Sequence, residues 1–110
     1  MSNWITNSLR NADTSGTKGS TKHKLLWEAC KRKWYKLNPP DHAGYYYCHY
    51  CGKAMTKAET TLDHIKIRSH YPELRYKLEN LVPCCAEDNF KRGSMEYELF
   101  CKKYYPNLLQ

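Results

Sequence analysis

Two short cysteine motifs constrain the fold of this chain more than any other feature of its sequence. In CHYCGK, Cys48 and Cys51 are separated by two residues, and Gly52 follows them, which lets the chain reverse direction. Two thiolates at this spacing on a tight turn can both face one metal ion. A structural zinc site needs four ligands, so we expect a second pair of ligands further along the chain.

The segment PCCAEDNF offers that second pair of ligands. Cys85 and Asp88 repeat the spacing of the first pair, and a carboxylate oxygen is an acceptable zinc ligand, although sulfur is commoner in structural sites. We therefore predict a structural zinc ion held by Cys48, Cys51, Cys85 and Asp88. Asp88 can also be read as the cap of a following helix. The alternatives for the fourth ligand are Cys84, His49 and a water molecule.

The size and composition of the chain explain why a zinc site would be needed. The 110 residues suffice for one domain, and small domains bury too little apolar surface to be comfortably stable on burial alone. The aromatic residues include 10 tyrosines and only 2 phenylalanines, so much of the aromatic surface carries a hydroxyl that needs a partner. Structural zinc can contribute about 10 kcal/mol to folding, which is comparable to the whole stability of a typical domain.

Two other uses of a Cys-x-x-Cys motif fit this sequence less well. A redox motif is expected within a thioredoxin-like βαβ pattern, which the sequence does not show. Haem attachment requires a histidine directly after the second cysteine, where this chain has Gly52. Cys30 and Cys101 fall on apolar helical stripes, so we expect them to be buried thiols rather than ligands.

Charge and hydropathy indicate an intracellular protein with a polyanionic partner. The net charge of +7 favours nucleic acid as that partner, although charge alone says nothing about specificity. No apolar run is long enough to span a membrane, and the N-terminal segment lacks the apolar middle of a signal peptide. We therefore expect a cytoplasmic protein in a reducing compartment, where six cysteines point to metal before disulfides.

A basic helix is predicted after a polar N-terminal segment. Residues 1–21 are rich in Ser, Thr, Asn and Gly and are predicted to be a flexible tail ahead of a single domain over residues 22–110. Within KHKLLWEACKRKWYKLN, Trp27, Cys30 and Trp34 recur at helical spacing. The other faces are basic, and we predict that they contact nucleic acid, with a merely solvated surface as the alternative. The cations concerned are Lys24, Lys31, Arg32, Lys33 and Lys36.

The remaining apolar patterns predict an α+β domain. A strand runs into the cysteine knuckle, and a second strand, a short helix and a third strand follow before two C-terminal helices. The predicted bounds are 60–67 and 80–83 for the later strands, 71–77 for the short helix, 85–88 for the start of the next helix and 95–104 for the last.

Taken in order, three segments resemble the HNH endonuclease family of the ββα-metal, or His-Me finger, superfamily. These segments are CHYCGK, TLDHIKIRS and NLVPCCAEDNFKRG, which together span residues 47–94. The combination is specific, whereas an Asp-His pair alone is common by chance. One departure concerns Asp88, because the family usually has cysteine at that position. The resemblance implies a small ββα-metal finger with a structural zinc site, flanked by the basic N-terminal helix and a C-terminal helix.

The resemblance also implies a role for each polar residue of the motif. His64 matches the general base, and a neutral imidazole with a pKa near 6.5 suits proton abstraction at pH 7. Asp63 and Asn89 match ligands of a catalytic Mg²⁺ or Mn²⁺, which prefer oxygen. Asn80 matches the residue that pins the loop after the base. The basic residues implied to contact phosphate are Lys91 and Arg92. Because strand neighbours face opposite ways, we predict a bend or bulge at His64.

The leading hypothesis is therefore a metal-dependent endonuclease that nicks or cuts DNA. The resemblance implies products with 3′-hydroxyl and 5′-phosphate ends, and compact proteins of this type resemble those of phages and mobile elements. The alternatives are a non-catalytic, zinc-stabilised module that only binds nucleic acid, and a disulfide-linked or redox protein. The sequence leaves open the DNA target, the oligomeric state and whether a larger phage or host protein is a partner.

Overall fold

The computed structural model describes residues 18–110, and the chain divides after Pro39 into two compact units. The tail was predicted over residues 1–21, and residues 1–17 of it lie outside the described range. Its last four residues belong to a helix that begins at Lys18. Within the described range, no helix has the length and apolar character needed to cross a membrane.

Helix α1, Lys18–Leu37, lies in the described part of the first unit. Leu26, Cys30 and Trp34 are buried along one side of it, as their spacing of four residues requires. The helix ends where the side chain of Asn38 donates a hydrogen bond to the carbonyl of Trp34 at 2.9 Å. The prolines that follow cannot continue a helix.

The second unit begins with a two-stranded antiparallel hairpin that carries the first cysteine pair. Strand β1, Tyr46–Tyr47, pairs with β2, Ala54–Met55. The knuckle between them closes through hydrogen bonds from Cys48 N to Lys53 O and from Gly52 N to Cys48 O, both 2.9 Å. Gly52 has φ 79°, a conformation that L side chains rarely adopt, so glycine is required there.

A second antiparallel pair forms the centre of this unit. Strand β3, Thr60–His64, pairs with β4, Leu81–Cys85, in a continuous register from Thr60 opposite Cys85 to His64 opposite Leu81. The predicted bulge at His64 is therefore wrong, and the chain bends only after it, at residues 65–66. The strand predicted to reach residue 67 stops at His64 because pairing ends there. The segment between the strands contains two 3₁₀ turns, Pro72–Leu74 and Leu78–Asn80, in place of the predicted helix over 71–77.

Two helices complete the unit. Helix α2, Ala86–Arg92, follows β4 directly and packs on both β3 and β4, which gives a ββα arrangement. It ends at Gly93, and α3, Tyr97–Tyr104, follows. The core between these elements contains fully buried Met55, Phe100 and Cys101. The predicted α+β class and the ββα-metal architecture are confirmed.

Candidate functional site

The two cysteine motifs converge on one cluster. The sulfur atoms of Cys48, Cys51 and Cys85 and a carboxylate oxygen of Asp88 all lie within 4.8 Å of one another. A tetrahedral zinc ion with Zn–S bonds of about 2.3 Å separates its sulfur ligands by about 3.8 Å. The sulfurs of Cys51 and Cys85 are 3.9 Å apart, so the donor set and its spacing fit zinc.

Asp88 turns one carboxylate oxygen toward the thiols and the other away from them. Its Oδ2 lies 3.6 Å from the sulfur of Cys48 and 3.4 Å from that of Cys85. Its Oδ1 accepts a hydrogen bond of 2.8 Å from the hydroxyl of Tyr105, and the ammonium of Lys91 is 3.9 Å away. The carboxylate is thus fixed with one oxygen available to the cluster. Because Cys85 occupies the N-cap position of α2, Asp88 is not the cap.

The alternative fourth ligands lie outside the cluster. The Nε2 atom of His49 is 2.8 Å from the hydroxyl of Tyr97. The thiol of Cys84 donates to the carbonyl of Cys85 at 3.3 Å. A hydrogen bond from Cys84 also lowers the pKa of Cys48 to about 5, which favours the thiolate that a metal requires. None of the six cysteines, all of which lie in the described range, forms a disulfide that would compete with the cluster.

His64 stands at the end of β3 with its imidazole fixed by a backbone carbonyl. Its Nε2 atom lies 2.9 Å from the carbonyl oxygen of Arg75. A carbonyl oxygen only accepts hydrogen bonds, so Nε2 carries the proton and the lone pair of the neutral ring is on Nδ1. Burial lowers the pKa of His64, which favours that neutral form. The neutral imidazole thus has one defined acceptor nitrogen, Nδ1.

Asn80 fastens the loop that supplies this carbonyl. Its Oδ1 accepts from the amide of Lys66 at 2.9 Å, and its Nδ2 donates to the carbonyls of Lys66 at 3.0 Å and Leu74 at 3.2 Å. Leu74 immediately precedes Arg75, whose carbonyl binds His64. The buried side-chain amide of Asn80 therefore links Lys66 to Leu74 across the loop next to His64. The family resemblance implies a residue that holds this loop at the same position.

Asp63 lies beside the base on the opposite face of β3, directed toward α2. Its Oδ2 accepts hydrogen bonds from the hydroxyl of Tyr50 at 2.5 Å and from the guanidinium of Arg92 at 2.7 Å. Among the described residues, none donates to its Oδ1. Asn89 faces the same strand from α2, since its Nδ2 donates to the hydroxyl of Thr61 at 2.8 Å. Each residue thus keeps one oxygen that a divalent cation can use.

Arg92 requires a correction, because it was predicted to contact phosphate and is only 1 % exposed. Besides Asp63, its guanidinium donates to the carbonyls of His64 at 2.5 Å, Ile65 at 2.7 Å and Met95 at 2.8 Å. With these partners it faces the interior and not the solvent. Helical spacing could have indicated that Arg92 faces inward, because it is three residues after Asn89 and so lies on the same face of α2.

The remaining predicted cations are on the surface. Lys91 is 44 % exposed at its side chain, and its ammonium lies 4.6 Å from the centre of the Tyr104 ring. On α1, Lys31 pairs with Glu28 at 3.1 Å, and Lys33 is partly exposed. The other cations of that helix are exposed: Lys24, Arg32 and Lys36.

Comparison with known proteins identifies the segment that contains these sites. Residues 48–94 match the family model of the HNH endonucleases. The match includes the four cluster residues and the strand, loop and helix around His64. No curated protein and no solved structure matches the chain.

Proposed function

Because residues 48–94 match the family model of the HNH endonucleases, we propose that the protein is a metal-dependent endonuclease that hydrolyses phosphodiester bonds in DNA. The observation that carries the proposal is the fixed imidazole of His64 at the end of β3. Asp63 lies on the opposite face of that strand, toward α2, and Asn89 faces the strand from α2. A module that only binds nucleic acid has no need to hold one histidine tautomer by a backbone carbonyl.

In this proposal His64 takes a proton from the attacking water at Nδ1. The carbonyl of Arg75 keeps the proton on Nε2, so the ring offers its lone pair in one orientation. After abstraction the ring is a cation, and that same carbonyl stabilises the charge. Asn80 acts as a positioning residue, since it holds the loop from which the carbonyl projects.

A divalent cation completes the chemistry. Asp63 and Asn89 would hold Mg²⁺ or Mn²⁺, with water and the substrate phosphate as further ligands. When bound, such an ion stabilises the negative charge that develops on the leaving oxygen. Cys48, Cys51, Cys85 and Asp88 would hold zinc in a separate, structural role, since the ion would join the hairpin knuckle to the start of α2.

One observation favours the rival function, a zinc-stabilised module that binds nucleic acid without cutting it. The guanidinium of Arg92 lies 2.7 Å from the carboxylate of Asp63. A positive charge so close opposes the binding of a second cation at the same carboxylate. Because Oδ2 of Asp63 is occupied by Tyr50 and Arg92, a nuclease of this structure would offer Oδ1 to its metal ion, and the DNA phosphate would help to hold that ion.

Cleavage and binding assays separate the two functions. We expect the protein to convert supercoiled plasmid to nicked or linear DNA with Mg²⁺ or Mn²⁺. The variant His64→Ala should lose cutting by at least about a hundredfold, the scale of general-base catalysis, and keep its affinity for DNA. The control His42→Ala removes an exposed histidine and should cut normally. Binding without cutting by the unaltered protein, tested on duplex, single-stranded and branched DNA, would establish the rival.

A further inference from the structure

The side chain of Phe90 is exposed to solvent on α2, the helix that carries the proposed metal ligand Asn89. It is 90 % exposed, whereas the next most exposed large apolar side chains of the described chain, Leu37 and Leu99, are each 59 % exposed. Phe90 follows Asn89 directly on α2. A phenylalanine ring is among the largest apolar groups a protein can bury, so its exposure here gains nothing for the fold.

The geometry of α2 explains why this ring points outward. Asp88 faces the thiol cluster, Asn89 reaches Thr61, and Arg92 reaches Asp63, so these three residues define the inner side of the helix. Successive residues of a helix are turned by about 100°. Phe90 therefore projects from the outer side, one residue away from a proposed metal ligand.

The charges around Phe90 suit a polyanion. The ammonium groups of Lys91 and Lys103 lie 4.6 Å and 5.3 Å from the centre of the Tyr104 ring, so two cations flank the same aromatic side chain. The acidic neighbour on the outer side, Glu87, is paired with Lys53 at 3.6 Å. Lys91 directly follows Phe90, and its ammonium lies 3.9 Å from Oδ1 of Asp88, whose Oδ2 faces the thiol cluster. An exposed aromatic ring next to lysines is the combination with which proteins hold a base and its phosphates.

We propose that Phe90 stacks on a nucleobase of the bound DNA. The inference rests on the proposed function and adds a substrate contact to it. Every base has an aromatic face, so the contact holds DNA without reading its sequence. In a duplex the ring acts as a wedge that separates two stacked bases, which costs least where a base is mismatched or unpaired. The protein should therefore bind such DNA more tightly than a perfect duplex.

Binding measurements on a background that does not cut test this contact. In the His64→Ala protein, Phe90→Ala should raise the Kd for a fluorescein-labelled duplex about tenfold, the scale of one aromatic–base stack. Phe90→Trp should retain the affinity. The matched control is Leu99→Ala, which removes an exposed apolar side chain from α3 and should leave the Kd unchanged. Thermal unfolding should be the same for all variants, because Phe90 is exposed.

A second readout locates the contact directly. Incorporation of the photoreactive analogue p-benzoylphenylalanine at position 90 should crosslink the protein to a base of the bound duplex. An unchanged Kd for Phe90→Ala together with no crosslink to DNA would overturn the inference. So would a loss of self-association in Phe90→Ala at unchanged DNA affinity, since the ring would then face a second copy. Plasmid cutting by the unaltered protein tests the nuclease function separately, so a failed stacking contact leaves that result standing.

Discussion

The guanidinium of Arg92 forms a buried ion pair with the carboxylate of Asp63, at 2.7 Å and with side-chain exposures of 0 % and 9 %. The same guanidinium binds the carbonyls of His64 and Ile65. One side chain thus fixes the carboxylate that faces α2 and the backbone at the end of β3. A buried ion pair contributes little net stability relative to an apolar pair, but the loss of one partner leaves an uncompensated charge.

Replacing Arg92 should therefore be strongly destabilising. We expect Arg92→Met to lower the free energy of unfolding by about 3–5 kcal/mol, because Asp63 loses its cationic partner and three carbonyls lose a donor in a buried site. Urea denaturation followed by circular dichroism measures this change. The control Arg68→Met removes an exposed arginine and should change stability by less than about 0.5 kcal/mol. Equal effects of the two substitutions would contradict the interior role of Arg92.

Loss of the Asn80 amide should affect catalysis more than binding. In Asn80→Ala the backbone of Lys66 and the carbonyl of Leu74 lose their partners, so the carbonyl that orients His64 is no longer held. We expect the single-turnover cleavage rate to fall at least about tenfold with little change in the Kd for DNA. Stability should fall by about 1–3 kcal/mol, the cost of unsatisfied buried groups. A normal cleavage rate would show that the loop orients the imidazole without Asn80.

Zinc affinity should depend on a residue that does not touch the metal. Tyr105→Phe removes the hydroxyl that fixes Oδ1 of Asp88. Loss of such an outer-shell partner typically lowers metal affinity by about 10–100-fold. Competition with a zinc chelator of known affinity measures the change. Tyr104→Phe serves as the control, because the contacts of that side chain are made by its ring, and it should bind zinc normally.

Salt should weaken DNA binding in proportion to the number of phosphate contacts. If the exposed face of α1 contacts phosphates, replacing Lys24, Arg32 and Lys36 by alanine should reduce the slope of log K against log salt by up to about 2.7, from about 0.9 for each contact. The charge-conserving variants Lys24→Arg, Arg32→Lys and Lys36→Arg should keep the slope. An unchanged slope in the alanine variant would mean that this face is only solvated.

The sequence predicted best what local spacing determines. Cys48 and Cys51 lie close to Cys85 and Asp88, as the ligands of one ion would have to, and each pair has the same short spacing. The side chain of Asn80 binds the backbone of Lys66 and Leu74, and its role in positioning His64 stays a prediction. Arg92 was misplaced because a positive charge near a nuclease motif suggests solvent and phosphate, and its burial depends on Asp63, 29 positions earlier. Pattern reasoning cannot weigh so distant an ion pair.

The two tyrosines of the site were missed for a related reason. Tyr50 reaches Asp63, and Tyr105 reaches Asp88, through contacts that no periodicity indicates. The abundance of tyrosine did signal that hydroxyl groups would need partners, but not which ones. The end of β3 was misjudged because Ile65 and Ile67 continue an apolar pattern, while the strand stops where its partner strand stops.

The hydrogen bond from Tyr105 to Asp88 joins residues 17 positions apart, and the later one follows all the motif residues in the chain. A chain cut short just before Tyr105 would therefore keep every motif residue and still lose the hydroxyl that fixes Oδ1 of Asp88. The quality of the metal site thus depends on the C-terminal end of the described chain, outside the matched segment.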